Sequence, residues 1–285
     1  MPELPEVETI ARILREGGGA ERPPLAGRVI RQARVLWPRE VSGLSAAEFA
    51  QRVAGRRVAA VSRHGKYLIL ELGGSGGVAA STSASPDHPL FMLVHLRMSG
   101  RLDVTPEADA FTPHARVVWL LDDGWALRFD DARKFGRVYL TDQPSQVTGK
   151  LGPDALSIGA QEFASRLLAK RGALKPILLD QRFIAGVGNI YADESLFLAR
   201  LHPTRLASAL SAGEADRLHA AIRQVLLDGI AANGASFDWV YPGGNYQDHF
   251  KVYGRAGLPC VNCGRPVSRM VVGQRSAHFC AACQK

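Results

Sequence analysis

Four cysteines near the end of the chain have the spacing of a metal site. They occur as Cys260-x2-Cys263 and Cys280-x2-Cys283, and the 285 residues contain no other cysteine. Each CxxC pair can place two thiolates on one side of a tight turn, and two such turns satisfy a tetrahedral four-sulfur zinc ion. Two disulfides are the alternative, which a cytosolic chain disfavours. We therefore predict one structural zinc, with no open position for catalysis.

The residues around these cysteines favour a polyanionic partner. The chain has a net charge of +8, and its last 35 residues, 251–285, contain six basic residues and no acidic one. Between the two pairs, the segment 270–279 predicts a β-hairpin with Gln274 and Arg275 near its tip. A basic tip held rigid by zinc suits a nucleic-acid backbone, whereas a solvated surface charge is the ordinary alternative for one arginine.

The first residues, MPELPEVET, combine a candidate nucleophile with carboxylates. A proline at position 2 permits removal of the initiator methionine, which would expose the secondary amine of Pro2. Such an amine attacking a sugar C1′ forms a charged iminium, an electron sink that lets a base leave and a strand be cut by elimination. Glu3 could move the proton that opens the sugar ring. Pro5 suits the first turn of a helix, predicted to extend to about Arg15.

A third candidate is the turn at residues 184–193, IAGVGNIYAD. Its glycines form a tight turn, and Asn189 is well placed to cap the next helix. Free N–H groups at such a helix start can hold a phosphate. An ordinary turn between helices would explain the motif equally well. Lys175, in front of this turn, is either another phosphate contact or an exposed lysine.

The elements that must position these residues belong to a strand-rich region and a helical region. Residues 28–142 are predicted to form short strands, which favours a sandwich or a barrel. Asp122-Asp123-Gly124 is a hairpin turn signal. The predicted strands are Lys66–Leu72, Phe91–Arg97, Val117–Leu121, Trp125–Phe129 and Val138–Leu140. Beyond a linker at 141–153 the periodicity becomes helical. The predicted helices are Gln161–Lys170, Leu174–Leu179, Ile190–Arg200 and Ala212–Ala232.

The resulting fold class is α+β with several domains. We predict an N-terminal β-sandwich domain with a flanking helix at 1–145, a helical domain at 146–245 and a zinc-ribbon hairpin at 246–285. The chain is 46% hydrophobic and 22% charged, as expected for a globular protein. We see neither a secretory signal nor an apolar stretch of about 20 residues that could span a membrane. We therefore expect a cytoplasmic protein.

Taken together, these motifs resemble bacterial formamidopyrimidine-DNA glycosylases. The resemblance rests on MPELPEVET, the Lys66 strand, FDDARKFG at 129–136, GVGNIYADESL at 186–196 and the four-cysteine hairpin with its Gln-Arg tip, which follow the family's order along the whole chain. It implies a β-sandwich, a helix–two-turns–helix domain and a zinc finger. It also implies double-stranded DNA as partner, with an oxidised base flipped out of the stack.

The resemblance also implies roles for single residues. Pro2 would be the nucleophile and Glu3 the general acid and base, and Glu6 would help to position water. Lys66 would contact the phosphate beside the lesion and assist catalysis. The remaining residues are expected to bind DNA, by filling the space left by the flipped base or by holding phosphates: His95, Met98, Arg133, Phe135, Lys175, Asn189 and Arg275. Without the resemblance, Lys66 would be assigned to solvent, and Met98 and Phe135 to the core.

The chain departs from the family pattern at several points. Arg97 replaces a usual glycine, Ala132 a frequent proline, and the loop Gly73–Pro89 is longer. The segment Ser236–His249 is shorter than the family's loop that closes over the flipped base. The lesion preference therefore stays open at this point.

Three functions are compatible with these observations. The first is a monomeric glycosylase and lyase for oxidised purines. The second is the sister activity on oxidised pyrimidines, which Leu4 and Val7 disfavour because the sister group tends to have glycine at the first of these positions. The third is a zinc-ribbon DNA-binding protein without catalysis.

Overall fold

The computed structural model describes residues 1–19, 21–75, 89–236 and 243–285. Of the two loops noted in the sequence, residues 76–88 and 237–242 lie outside the described residues. The chain divides into two compact units: unit 1 comprises residues 1–2 and 7–150, and unit 2 comprises residues 3–6 and most of 151–285. The predicted domain limits at 145 and 245 stay predictions.

Helices dominate the second half of the chain and strands the first. The helices are α1 (Leu4–Glu16), α2 (Ala46–Val53), α3 (Ser145–Thr148), α4 (Ala160–Leu168), α5 (Leu174–Leu179), α6 (Asn189–Leu198) and α7 (Ala212–Ala231). Short 3-10 turns lie at Pro38–Glu40, Ala207–Ala209 and Tyr246–His249. The strands are β1 (Ile30–Val35), β2 (Val41–Ser42), β3 (Arg56–His64), β4 (Tyr67–Ser75), β5 (Leu90–His95), β6 (Gly100–Pro106), β7 (Ala115–Leu121), β8 (Trp125–Asp131), β9 (Arg137–Thr141), β10 (Ser268–Val272) and β11 (Arg275–Phe279).

Unit 1 is built from two sheets around one apolar core. One sheet has the strand order β1-β7-β8-β6, and the other has the order β2-β9-β5-β4-β3. Side chains from both sheets, among them Leu70, Val94, Trp119 and Phe129, are almost fully buried in the same cluster. Alternating inward-facing residues of two sheets form the core of a sandwich. The predicted β-sandwich is confirmed.

One prediction for this region is wrong. Residues 28–142 were predicted to form short strands, and no helix was predicted there, but α2 lies among them. Ser45 caps this helix by accepting a hydrogen bond at its side chain from the backbone N–H of Glu48, and Phe49 and Val53 on its apolar face are buried. The cap signal Ser-x-x-Glu followed by apolar residues at helical spacing was present in the sequence. It identifies this helix.

Unit 2 is helical, with one hairpin at its C-terminal end. Apolar side chains of α4, α5, α6 and α7 share a single core, represented by Phe163, Leu174, Tyr191 and Leu218. α7 begins with a complete capping box between Ser211 and Glu214. Strands β10 and β11 pair antiparallel. The helical region and the C-terminal hairpin were both predicted, and both are confirmed. Among the described residues, no helix has the length and apolar content needed to cross a membrane.

A buried carboxyl group in unit 1 has no hydrogen-bond partner among the described residues. Glu40 has no solvent exposure, and neither of its carboxylate oxygens accepts a hydrogen bond. The nearest cation is the guanidinium of Arg137, at 3.9 Å. Burial, reinforced by the charge of Asp131, raises the pKa of Glu40 to about 7. This carboxyl group therefore destabilises the fold whenever it is ionised.

Glu40→Gln should change how stability depends on pH. A carboxyl group whose pKa is raised by folding contributes stability below its unfolded value of 4.5, and that contribution is lost as the pH rises through about 7. The wild type should therefore lose roughly 3 kcal/mol of unfolding free energy between pH 4.5 and pH 8 from this group, and the variant should not. Urea unfolding at both pH values measures the difference. The exposed Glu21→Gln serves as control, and identical pH responses in the wild type and Glu40→Gln would refute the assignment.

Candidate functional site

The start of α6 is occupied by a carboxylate from the first residues of the chain. Glu3 is 3% exposed, and its two oxygens accept hydrogen bonds from the backbone N–H groups of Ile190 at 3.0 Å and Tyr191 at 3.4 Å. The N-terminus of a helix stabilises a negative charge. These two hydrogen bonds fix the position of the Glu3 carboxylate and favour its charged form.

This arrangement corrects two expectations about the GVGN turn. Asn189 was expected to cap the following helix, but Gly188 is the N-cap residue and no side chain of its own segment makes a cap bond. The N–H groups expected to be free for a phosphate are the ones that donate to Glu3. A Cβ atom on Gly188 would overlap the carboxyl group of Glu3. Glycine is needed here because a carboxylate approaches the backbone.

Glu6 holds the same segment in place through three hydrogen bonds. Its Oε2 accepts a hydrogen bond from the backbone N–H of Glu3 at 2.7 Å. Its Oε1 accepts from the hydroxyl of Tyr191 and from the backbone N–H of Ala235, each at 2.7 Å. Both glutamates are nine-tenths or more buried. Glu6 therefore positions the N-terminal residues, and its predicted role in positioning water stays a prediction.

Pro2 is buried, whereas Met1 is 49% exposed. While Met1 is attached, the nitrogen of Pro2 belongs to a tertiary amide and has neither a proton nor a free electron pair for attack. Nucleophilic activity at this atom requires removal of Met1.

Lys66 lies in the tight turn between β3 and β4. It is only 6% exposed, so the alternative of a solvent-facing lysine is wrong. His95, at the end of β5, is also buried. Burial, together with the positive charges of Arg97 and Lys66, lowers the pKa of His95 to about 3, so its ring is neutral near pH 7. Because Nδ1 accepts a hydrogen bond from the backbone N–H of Arg97 at 3.1 Å, Nε2 carries the proton and is a neutral donor.

Met98 and Phe135 are exposed, which contradicts the alternative that they are core residues. Their side chains are 38% and 49% exposed, respectively. The guanidinium carbon of Arg133 lies 5.1 Å from the centre of the Phe135 ring. An exposed methionine and phenylalanine beside an arginine form an apolar and cationic surface on unit 1.

Lys175 is fully buried, and the expectation of an exposed lysine is also wrong. Its ammonium group lies 2.5 Å from Oδ1 of Asp193 and donates to the backbone carbonyl of Ser276. Asp193 Oδ2 accepts from the backbone N–H of His278 at 2.9 Å. Burial lowers the pKa of Lys175, and the facing Asp193 opposes that effect. Lys175 thus ties α5 and α6 to β11, and its contact with DNA stays a prediction.

Asn189, the first residue of α6, lies beside the strand of the C-terminal hairpin that begins with Arg275. The amide nitrogen of Asn189 lies 3.5 Å from Oγ of Ser276, the residue after Arg275. Arg275 is exposed, and Gln274 before it has a left-handed φ of 65°. The structure therefore places Asn189 beside the sequence neighbour of Arg275, and both predicted phosphate contacts belong to unit 2.

Glu194 holds the segment that leads to the hairpin. Its Oε1 accepts from the backbone N–H groups of Val252 at 3.0 Å and Tyr253 at 2.8 Å, and its Oε2 accepts from that of Lys251 at 2.9 Å. Glu194 and Asp193 are neighbours on α6 and are both nearly inaccessible. Two adjacent buried carboxylates thus anchor the basic tail. Sequence analysis missed both, although each lies within the quoted motif YADE.

The four cysteines form one compact cluster. Their Sγ atoms all lie within 4.8 Å of one another, with 3.9 Å between Cys260 and Cys283 and 3.5 Å between Cys263 and Cys280. A tetrahedral zinc with bonds of about 2.3 Å separates its sulfurs by about 3.8 Å. Burial and the neighbouring thiols raise the pKa of Cys283 to about 12. The cluster therefore fits a cation that supplies the charge needed to ionise all four thiols.

Family models match three segments of the chain. Residues 1–138 match the formamidopyrimidine-DNA glycosylase N-terminal domain, residues 151–239 match its H2TH domain, and residues 257–285 match the zinc finger found in FPG and IleRS. The last match and the sulfur geometry agree on one structural zinc held by the four cysteines.

Whole-length relatives support the same grouping. The chain is 43% identical to a formamidopyrimidine-DNA glycosylase of Chloroflexus aggregans over 297 residues, which covers 100% of this chain and 98% of the relative. Among solved structures, Lactococcus lactis Fpg in complex with DNA containing N7-benzyl-Fapy-dG has a TM-score of 0.86 at 30% identity, with both chains covered completely. The same enzyme with DNA containing an oxidised pyrimidine has a TM-score of 0.85.

Removal of zinc should loosen the cysteine turns first. Elemental analysis should find one zinc per chain, and a chelator or Cys263→Ser should remove it. Amide exchange should then accelerate strongly in residues 257–285, because metal binding supplies the folding free energy of such small modules. Residues 251–253 should keep more protection, since they are held by Glu194. Equal loss of protection in both segments, or no metal in the purified protein, would contradict this account.

Proposed function

The chain belongs to the formamidopyrimidine-DNA glycosylase family, and on that basis we propose that it removes oxidised purines, such as 8-oxoguanine and formamidopyrimidines, from double-stranded DNA and then cleaves the strand. The observation that carries this proposal is the buried Glu3, fixed at the start of α6 and adjacent in sequence to Pro2. A proton carrier beside an N-terminal secondary amine is the pair that this chemistry requires.

The reaction begins at Pro2 after removal of Met1. The amine nitrogen attacks C1′ of the damaged nucleotide, the bond between C1′ and the base breaks with its electron pair going to the base, and the base takes up a proton from water. The carboxylate of Glu3 accepts the proton of the attacking amine. It then delivers a proton to the ring oxygen of the sugar, whose opening leaves an iminium on Pro2.

The iminium then promotes strand cleavage. It withdraws electrons from C2′, whose proton is lost as the 3′ phosphate leaves by β-elimination. A second, δ-elimination releases the 5′ phosphate, and water hydrolyses the iminium to restore the amine. Glu6 supports these steps through Glu3, because its carboxylate accepts a hydrogen bond from the Glu3 backbone N–H.

The remaining candidate residues are proposed to hold DNA, either by direct contact or, in the case of Lys175, by positioning a residue that makes such a contact. Lys66 and Arg275 supply positive charge to phosphates, and Asn189 supplies amide donors, so that they fix the register without reading sequence. The neutral ring of His95 is proposed to donate a hydrogen bond from Nε2 to DNA. Lys175 acts by positioning the hairpin that carries Arg275, since its ammonium group already contacts two acceptors.

Met98, Arg133 and Phe135 are proposed to fill the space left by the extruded base. Apolar side chains inserted between base steps unstack them, and a planar guanidinium can face the orphaned base. The exposure of Met98 and Phe135 supports this role, because buried side chains could not enter a duplex. We propose a cytoplasmic location, because the substrate is the bacterial chromosome. We also propose that the protein acts as a monomer, because each chain contains all the residues of the proposed active site.

The lesion class is tested by comparing two duplexes. Single-turnover cleavage of 8-oxoguanine should greatly exceed that of thymine glycol under identical conditions. The reverse order would assign the chain to the sister activity on oxidised pyrimidines, the kind of DNA present in one of the similar structures. Binding to both duplexes without cleavage of either would instead leave a DNA-binding protein.

Replacement of Pro2 by Gly should impair borohydride trapping on 8-oxoguanine DNA at least about tenfold, equivalent to about 1.4 kcal/mol of barrier. A primary amine still forms an imine, but it lacks the ring that makes the iminium permanently charged. DNA binding should change little. Pro24→Gly, at an exposed proline, is the matched control. Equal losses of trapping and binding would count against Pro2 as the nucleophile.

Replacement of Arg275 by Ala should weaken binding to all duplexes to a similar extent. Loss of one phosphate contact reduces the slope of log K against log salt by about 1. Arg265→Ala, at an exposed arginine near the cysteine end of the same hairpin, should leave the slope unchanged. An unaltered slope in Arg275→Ala would mean that this side chain does not contact phosphate.

A further inference from the structure

Two exposed turns of unit 1 share one buried carboxylate. Asp131 has no solvent exposure. Its Oδ1 accepts from the hydroxyl of Ser99 and from the backbone N–H of Arg133 at 3.2 Å. Its Oδ2 accepts from the backbone N–H groups of Phe135 at 2.8 Å and Gly136 at 2.7 Å. Four donors use the full acceptor capacity of one carboxylate.

Ser99 is the link between the turns. It follows Met98 directly and is 3% exposed. Its Oγ donates to Asp131 and accepts from the backbone N–H of Arg133 at 3.0 Å. One hydroxyl group therefore joins the turn that carries Met98 to the turn that carries Arg133 and Phe135.

Neither turn adopts a conformation that its residues favour locally. Arg97 and Lys134 have left-handed φ values of 55° and 58°, which are uncommon for residues with a side chain. The family's usual glycine at position 97 would adopt this φ freely. A Cβ atom on Gly136 would overlap the ring of Phe129, which is fully buried. The turns are therefore maintained by the core beneath them and by the Ser99–Asp131 network.

We propose that Ser99 and Asp131 are positioning residues that hold Met98, Arg133 and Phe135 as one preformed wedge, and that this rigidity sets how strictly the protein distinguishes the base opposite the lesion. The inference rests on the proposed function, because it assigns a reading role to those three side chains. It adds a determinant of specificity that touches neither DNA nor the reacting atoms.

The physical reason is preorganisation. A wedge that is ordered before DNA arrives does not lose conformational freedom on binding, and its guanidinium meets the orphaned base at a fixed distance and angle. When the turns move independently, the guanidinium can adjust to several bases. Discrimination should then fall more than DNA binding does, and the elimination chemistry at Pro2 should not change.

The test compares Ser99→Ala with Ser62→Ala, the same substitution at an exposed serine of unit 1. In the DNA-free protein, amide exchange at Arg133 should accelerate about tenfold in Ser99→Ala, because one of its two acceptors is lost. The ratio of kcat/KM for 8-oxoguanine opposite cytosine to that opposite adenine should fall several-fold. Cleavage of a preformed abasic site should stay at the wild-type rate.

A further readout needs no catalysis. Duplexes with a tetrahydrofuran site and 2-aminopurine opposite it should give a smaller fluorescence increase on binding Ser99→Ala than on binding the wild type. A wild-type protein that binds DNA but does not cleave it would refute the proposed function. The amide-exchange and fluorescence measurements would still test whether Ser99 orders the wedge. Unchanged exchange in Ser99→Ala, or faster exchange with unchanged fluorescence and an unchanged ratio, would overturn the inference. In Asp131→Asn, the side-chain NH2 group would face backbone N–H groups that now donate to the carboxylate. If this variant folds, the changes in exchange, fluorescence and base discrimination should be larger than in Ser99→Ala.

Discussion

The structure depends on a carboxylate at the start of a helix. Glu3 accepts hydrogen bonds from two of the backbone N–H groups that α6 cannot satisfy from within, and Gly188 leaves the space for it to do so. The second glutamate, Glu6, bonds both the Glu3 backbone and the Tyr191 hydroxyl. A chain terminus is normally among the most mobile parts of a protein. Here buried ionic hydrogen bonds fix the residue that follows the proposed nucleophile.

Buried carboxylates that accept backbone N–H hydrogen bonds also lie next to other exposed candidate residues. Asp131 gathers backbone N–H groups beneath the Arg133 turn, Asp193 accepts from the backbone of β11, and Glu194 collects three N–H groups before the zinc module. Hydrogen bonds to charged groups contribute more than neutral ones, and losing one partner in a buried network costs about 1–3 kcal/mol. Glu40 is the exception in unit 1: a buried carboxyl group without such donors.

Local periodicity predicted most elements of the fold, because each signal acts over a few residues. The predicted helix Leu174–Leu179 is observed with the same bounds, and the Asp-Asp-Gly turn joins β7 to β8 with Gly124 at φ 83°. The zinc site was predictable for the same reason, since CxxC spacing is local. The missed helix α2 had a cap signal that was overlooked among the surrounding strands.

Burial and distant contacts could not be read from the sequence. Lys66 and Lys175 have the residue type of solvent-facing side chains, yet both are buried, and Met98 and Phe135 have the residue type of core side chains, yet both are exposed. Whether such a side chain is buried depends on partners that are distant in the sequence, as with Lys175 and Ser276. The supporting carboxylates were missed because an acid that binds backbone N–H groups leaves no local pattern.

The central claim is that the amine of Pro2 forms the covalent bond to DNA, and peptide mapping of the reduced adduct tests it most directly. After incubation with 8-oxoguanine DNA and borohydride, mass spectrometry should find the sugar remnant on the N-terminal peptide, at Pro2 of chains that have lost Met1. Chains that retain Met1 should carry no adduct. A remnant on the peptide containing Lys66, or an adduct on chains with Met1 still attached, would contradict the account.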